Sequence, residues 1–325
     1  MKHRSIRLLG CGIAAAFSVI AATASAQNWP ARTVRIIVPY AAGGNTDFTA
    51  RTIGARLADL WGQQVVVDNR PGGGTNIGSE LAARAAPDGY TLFMGGASNA
   101  VNMTLYAKPP YHTLRDFAPV VWCVQGANIL AAHPSLPAKN LKELIALAKA
   151  RPDQLNYASS GLGGSNHMAG ELFKMMAGIR IVHIPYKGNA PAITDGIAGN
   201  VELVISGVPA LIPHIKSGRL RAIAISSLER FPAVPDVPTF NEAGVQGYES
   251  SNWFGLMAPV KVPKEVIARI NADTNKVLAS AEVKGRFESD GLVPKGGTMT
   301  HFDQFIRAEI VKYEQVIRKA GIQPL

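Results

Sequence analysis

Val34-Arg35-Ile36-Ile37-Val38-Pro39-Tyr40-Ala41-Ala42-Gly43-Gly44-Asn45-Thr46-Asp47 is the stretch that decides the fold. Four of its first five residues are β-branched and apolar, the mark of a buried strand. Pro39 cannot extend that ladder, and the two glycines permit a sharp turn. Asn45, Thr46 and Asp47 are residue types that begin helices and complement the helix dipole. A strand that feeds a helix through a glycine turn opens a parallel crossover unit, so the class is α/β.

The alternation continues outward. Runs at 64–68, 90–94, 120–124, 155–158, 181–184, 201–205 and 220–225 read as strands, and 47–61, 76–86, 141–150, 166–177 and 190–198 as amphipathic helices between them. The opening pattern recurs once, as Ser159-Ser160-Gly161-Leu162-Gly163-Gly164-Ser165-Asn166-His167, again after a strand and before a helix. Pro232, Pro235 and Pro238 make 231–240 an ordered loop rather than a helix or a central strand. Helical periodicity resumes at 263–279, 281–289 and 299–320, the last carrying Phe302, Phe305, Ile306, Ile310, Tyr313 and Ile317 at spacings of three and four. No flexible linker interrupts the pattern, so the domains are expected to be joined by strands rather than tethered.

Lys2, Arg4 and Arg7 precede an apolar run from Leu8 to Ala22 that ends in Ala24-Ser25-Ala26. This is the pattern of a secretory signal peptide spanning 1–26, cleaved after Ala26, and the expected location is periplasmic. Leu8-Leu9-Gly10-Cys11 has the form of a lipoprotein box, but it stands at the start of the apolar run, where cleavage would leave almost no hydrophobic signal. Removing 26 residues from 325 leaves 299, about two domains' worth. The leader takes three of the 33 basic residues and none of the 23 acidic ones, which leaves the mature chain at +7. That balance suits an anionic ligand. The basic residues are scattered singly, without the stripe and interleaved aromatics of a nucleic-acid groove, so nucleic acid is excluded as a partner. Cys11 leaves with the leader, so no intramolecular disulfide is possible, and Cys123 within Val120-Val121-Trp122-Cys123-Val124 reads as a small buried hydrophobe.

The chemistry is expected at the two glycine turns. In an open α/β sheet such turns lie at the carboxyl ends of strands, where ligands bind. Glycines let the backbone approach, and the helix start directs amides and a positive dipole end at an anion. A single such turn would be unremarkable as a capped helix start; two, one in each half, favour a ligand role. Pro71-Gly72-Gly73-Gly74-Thr75-Asn76-Ile77-Gly78 resembles a phosphate loop but lacks the Gly-Lys-Ser/Thr ending, and no loop carries the dinucleotide spacing, so no nucleotide cofactor is expected. There is no His-Glu-x-x-His, no Gly-x-Ser-x-Gly and no Cys/His cluster; metal and catalytic residues are therefore both expected to be none, with only His112, His133, His167, His183, His214 and His301 in the mature chain. Ser165 and His167 stand two apart at a helix start and diverge, which argues against a nucleophile and its base.

Further motifs complete the reading: Trp29-Pro30, Asn69-Arg70-Pro71-Gly72, Ala86-Pro87-Asp88-Gly89-Tyr90, Tyr186-Lys187-Gly188, Ser217-Gly218-Arg219-Leu220-Arg221 and Pro235-Asp236-Val237-Pro238-Thr239. With the opening stretch, and in this order, they resemble the tripartite tricarboxylate transporter receptors, the Bug family of periplasmic solute-binding proteins. The likeness runs from Trp29 to Leu325. It departs at Ala42, where many members carry proline, and at Glu202, where aspartate is more usual.

The resemblance implies a type II periplasmic-binding-protein, or Venus flytrap, architecture: two doubly wound α/β domains joined by two crossing strands. Domain 1 would combine residues 27–125 with 253–325, and domain 2 would be 126–252. It also implies a monomer that captures a small organic carboxylate in the interdomain cleft, without a cofactor, and delivers it to membrane permease subunits. An exported hydrolase or isomerase acting on a carboxylate, and a ligand sensor for a membrane signalling protein, are the alternatives. Expected contacts from the first turn are Tyr40, the amides of Ala41, Gly43, Asn45 and Thr46, and Asp47, which serves either an amino group on the ligand or the helix dipole. From the second turn they are Ser159, Gly161, Ser165 and His167. Tyr186 either covers the ligand or is a core tyrosine.

Overall fold

The alternation of strand and helix in the sequence is realised in a computed structural model that describes residues 29–325 apart from Lys187; the expected signal peptide lies outside the described residues. The helices are α1 (Asn45–Trp61), α2 (Asn76–Ala83), α3 (Ala97–Leu105), α4 (Thr113–Asp116), α5 (Leu141–Ala150), α6 (Ser165–Ala177), α7 (Asn189–Ala198), α8 (Val208–Lys216), α9 (Lys264–Ala279), α10 (Ala281–Ser289) and α11 (Met299–Lys319). The strands are β1 (Val34–Val38), β2 (Val65–Asn69), β3 (Thr91–Gly96), β4 (Phe117–Ala132), β5 (Asn156–Ser159), β6 (Val182–Pro185), β7 (Leu203–Gly207), β8 (Arg221–Ile225), β9 (Ser251–Pro259) and β10 (Leu292–Pro294).

The path of hydrogen-bonded strands is β2-β1-β3-β9-β4-β7-β5-β6, with β10 and β8 also on β4. β1 lies parallel to β2 and β3, and β5 parallel to β6 and β7; β9 runs antiparallel to β3 and β4, and β4 antiparallel to β7 and β8. Each half is thus a doubly wound α/β sheet of the binding-protein type, and the two halves share one strand. β4 makes that join: Phe117 to Ala127 pair with β9, and Asn128 to Ala132 pair with β7 and β8. The returning chain crosses beside it, where the Ser250 N–H donates to Ser226 O at 3.1 Å and the Ser226 N–H to Asn128 O at 2.9 Å.

Each sheet is covered on both faces, as parallel sheets require. Along β1, Val34, Ile36 and Val38 face one core with α1, α9 and α10, while Ile37 faces the other with α3 and α11. In the second half, Leu130, Leu203 and Ile205 face α5 and α6, and Ile129 and Val204 face α7 and α8. α11 spans the join: Phe302, Ile306, Tyr313 and Ile317 enter the first half's core, and Val316 enters the second's.

Most expected elements are present. The strand expected at 120–124 is instead 16 residues long, because its apolar run continues past Gln125-Gly126 into the second sheet. β9, β10, α3, α4 and α8 were not legible as elements. Ser251–Pro259 opens on polar residues and contains Gly255, whose missing side chain makes room for the Phe302 ring, and α8 carries Pro209 and Pro213. The proline loop is ordered as expected, held by Val234 N–H to Phe231 O and Val237 N–H to Val234 O, with Phe231, Val234, Val237 and Phe240 buried. Cys123 is a free, fully buried thiol, and burial pushes its pKa up to about 12.

Candidate functional site

The two glycine turns have the same local architecture. In the first, Gly43 takes φ +85°, a region that costs any residue with a Cβ, and its N–H donates to Asp47 Oδ2 at 2.9 Å. Gly44 is extended (φ −85°, ψ 170°) and caps α1, accepting from the Phe48 N–H at 2.9 Å. In the second, Gly163 takes φ +72° and its N–H donates to His167 Nδ1 at 3.1 Å. Gly164 (φ −71°, ψ 160°) caps α6 and accepts from the Met168 N–H at 3.0 Å. In both turns a side chain in the first turn of the helix reaches back four residues and clamps the positive-φ glycine. The amides at the start of each helix, Asn45, Thr46 and Asp47 in one and Ser165, Asn166 and His167 in the other, have no acceptor within the helix.

The clamps differ in charge. Asp47 is buried, yet Arg51 Nε reaches its Oδ2 at 3.0 Å and Arg51 Nη2 its Oδ1 at 2.9 Å. Burial pushes the Asp47 carboxyl up, but the Arg51 guanidinium and the Gly43 amide outweigh it and hold it below the usual carboxylate value. His167, 3 % exposed, is neutral: desolvation lowers its pKa to about 4, and Lys174 adds to the effect. Its ring stacks on His183 at 4.0 Å, and its Nε2 lies 4.0 Å from Glu171, which is itself paired with Lys174 at 2.8 Å. Desolvation lowers His183 further, to about 3.

Each turn bears on the opposite half of the molecule. A Cβ placed on Gly163 would lie 2.5 Å from Leu105 Cδ2 and 3.9 Å from Asn102 Oδ1, both on α3. A Cβ placed on Gly207, at the end of β7, would lie 3.7 Å from the Asn45 Nδ2 of the first turn. The two turns therefore both sit at the interface between the halves, the first against the β7–α8 junction and the second against α3. Ala41 to Gly44 are exposed, whereas Gly163 and Ser165 are buried.

Several of the expected contact residues also hydrogen-bond within the fold. The Asp47 carboxylate is spent on Gly43 and Arg51 within its own turn. Ser159 is fully buried, with its Oγ 2.6 Å from His183 Nε2 and within 3.2 Å of the Gly161 N–H. The Tyr186 hydroxyl donates to Asp195 at 2.6 Å, and the Tyr40 hydroxyl to Ser98 Oγ at 3.1 Å. The Gly43 and Gly161 amides already have acceptors. Of the expected contacts, the amides of Ala41, Asn45 and Thr46 on one side and of Ser165 and His167 on the other have no acceptor among the described residues. Sequence reasoning missed Gly207, Leu105 and Asn102. Ser206-Gly207-Val208-Pro209 was readable as a third strand–glycine–helix junction, whereas Leu105 and Asn102 carried no such signal; the structure shows Asn102 Nδ2 donating to Gly74 O at 2.8 Å.

A cavity of about 690 Å³ lies elsewhere, between α3 and the chain's end, lined by Met103, Tyr106, His112, Ile310 and Ile322. It is bounded by residues of the first half alone. A second, of about 550 Å³, lies beside the strand crossing and draws its lining from both halves, including Gln125, Ala127, Arg230, Glu288 and Lys295. Among the described residues no cluster of His, Cys, Asp and Glu could hold a metal ion, and no helix is long and apolar enough to cross a membrane.

The profile of a family described as "Tripartite tricarboxylate transporter family receptor" matches residues 49–322. Protein BugT of Bordetella pertussis is 39% identical over 312 residues, which cover 95% of this chain and 96% of that one. Among solved structures, R. palustris Rpa4515 with adipate is 38% identical, covers 91% of this chain and 100% of that one, and superposes with a TM-score of 0.83. MatC from Rhodopseudomonas palustris with bound malate is 31% identical, covers 89% and 100%, and gives 0.79. The periplasmic binding protein BugD is 31% identical, covers 91% and 100%, and gives 0.80.

Proposed function

The chain belongs to the tripartite tricarboxylate transporter receptor family, and from that premise we propose that it is a periplasmic receptor that captures a small organic carboxylate between its two halves and presents it to membrane permease subunits. The observation that carries this reading is the pair of matched glycine turns, each seated against the other half of the molecule. The adipate and malate bound by the two R. palustris relatives support a carboxylate as the ligand class.

The energetics favour closure over a one-sided site. Micromolar affinity needs about 8 kcal/mol, and a hydrogen bond to a charged group contributes roughly 1.5–3. Amides from one turn fall short once the ligand's lost freedom is counted, while Ala41, Asn45 and Thr46 together with Ser165 and His167 suffice. A hinge at the strand crossing brings both sets to one carboxylate. The domain division that fits this hinge is 27–125 with 253–325 against 126–252, since β4 changes partners after Ala127 and β9 begins at Ser251. The signal peptide at 1–26 accounts for export. The protein acts as a monomer without a cofactor and returns its ligand unchanged.

Thermal unfolding of the purified mature protein against a panel of carboxylates that includes adipate and malate tests this. A rise in Tm with at least one carboxylate, and recovery of that ligand intact after denaturation, is the expected result. Stabilisation by sugars or cations alone, or chemical conversion of the ligand, contradicts it.

A further inference from the structure

Asn128 stands at the residue where β4 passes from one sheet to the other. It is 1 % exposed, and neither its Nδ2 nor its Oδ1 has a hydrogen-bond partner among the described residues. Its main chain is satisfied: the N–H donates to Ser226 Oγ at 2.8 Å and the C=O accepts from the Ser226 N–H at 2.9 Å. A buried carboxamide with both ends unpaired calls for an explanation, because such groups normally find partners.

Two independent relations fix where the side chain points. Asn128 is directly opposite Gly207 across the antiparallel β4–β7 ladder, and opposed residues project to the same face. On that face a Cβ of Gly207 would meet Asn45 Nδ2 at 3.7 Å. The neighbouring Ala127 packs with Ile129 and Ala131 in the core under α7 and α8, and successive side chains alternate, so Asn128 projects to the opposite face, the one it shares with Gly207. The Asn128 Cβ then lies within roughly 9 Å of the Asn45 amide group, given the spacing of opposed residues in a ladder.

We propose that Asn128 is a specificity-determining contact at the floor of the cleft, and that it reads a hydroxyl group on the carboxylate ligand; this rests on the carboxylate-receptor reading above. The chemistry of the side chain carries the choice. A carboxamide offers one donor and one acceptor side by side. A ligand hydroxyl answers both at once. A second carboxylate could accept from Nδ2 but would face the Oδ1 lone pairs.

The test is isothermal titration of the wild-type protein and Asn128→Leu with matched acids that differ by one hydroxyl: succinate and malate, propionate and lactate, benzoate and hydroxybenzoate. The wild type is expected to favour the hydroxylated member of its best pair by about tenfold, the worth of a hydrogen bond pair in a buried site. Asn128→Leu is expected to bind both members alike, at the affinity of the plain acid, and to unfold at the same or a higher temperature. Asn128→Asp, which keeps the shape and adds a charge, is expected to weaken every acid by more than about tenfold. A wild type with no hydroxyl preference, or an Asn128→Leu variant that keeps it, overturns the proposal and leaves an ordered water as the group that meets Asn128. Failure of the wild type to bind any carboxylate overturns the receptor reading itself, so the two failures are distinct.

Discussion

The two glycine turns share a backbone and differ in almost everything around it. The first, at the start of α1, is exposed and clamped by an ionised aspartate with an arginine behind it. The second, at the start of α6, is packed under Leu105 and clamped by a neutral histidine stacked on another histidine. The same backbone geometry at a helix start is thus held by two different chemistries. The same turn conformation is clamped in one case by a carboxylate that Arg51 keeps ionised and in the other by a ring that desolvation keeps neutral.

Substitution of the clamped glycines should separate the turns most sharply. Gly163→Ala places a methyl group 2.5 Å from Leu105 Cδ2 and forces alanine into φ +72°. The strain of about 1 kcal/mol adds to overpacking of roughly 1–3, so stability should fall by about 2–4 kcal/mol and ligand affinity by more than about tenfold. Adding Leu105→Ala should restore part of the affinity, which a purely local backbone effect would not allow. Gly43→Ala meets nothing within 4 Å, so it should cost only the φ term, about 1 kcal/mol. Equal losses from the two substitutions, read by urea unfolding and titration calorimetry, would remove the distinction.

The clamps should also part with pH. His167 and His183 are held neutral, at about 4 and about 3, whereas an unfolded histidine titrates near 6.5. The unfolded chain therefore takes up protons first, so this contribution to stability is intact above about pH 6.5 and drains as pH falls toward 4, at up to about 1.4 kcal/mol per unit per histidine. Asp47 has the opposite sense, its folded value lowered; its contribution is present above its unfolded value of 3.8 and is lost only below that. Between pH 6.5 and 4.5 acid should thus weaken the second half alone. His167→Gln, whose amide oxygen can still accept from Gly163, should flatten the slope of unfolding free energy against pH, and an unchanged slope would contradict the assignment. The smallest effect belongs to Asp47→Asn: an acceptor for the Gly43 N–H remains and the pairing with a half-exposed Arg51 is weakened, for a loss of about 0.5–1 kcal/mol. Affinity should stay within about twofold for ligands with or without an amino group; a selective loss for amino acids would return Asp47 to the ligand.

The sequence made both turns readable because glycine, a capping residue and an apolar period coincide in a few consecutive positions. It also revealed their equivalence, 43–47 and 163–167, from grammar alone. What stayed hidden depended on contacts distant in the chain. Gly163 and Leu105 are neighbours only after the two halves come together, and a 16-residue β4 shared by two sheets looks locally like a short strand followed by a turn at Gly126. The commitment of Asp47, Ser159 and Tyr186 to Arg51, His183 and Asp195 was invisible for the same reason, since a polar side chain in a turn has the same residue type whether it faces a ligand or its own fold. Asn128 sits within an apolar run and gave no sign of its orientation until its register with Gly207 was known.

On the proposed reading both turns converge on one carboxylate. A crystal structure of the protein with whichever acid raises its Tm most tests it directly. The expected result is a ligand carboxylate within about 3.2 Å of main-chain amides from both turns, among them Asn45 or Thr46 and Ser165 or His167. A ligand that touches only one turn, or that lies in the cavity beside Tyr106 and Ile322, would contradict it.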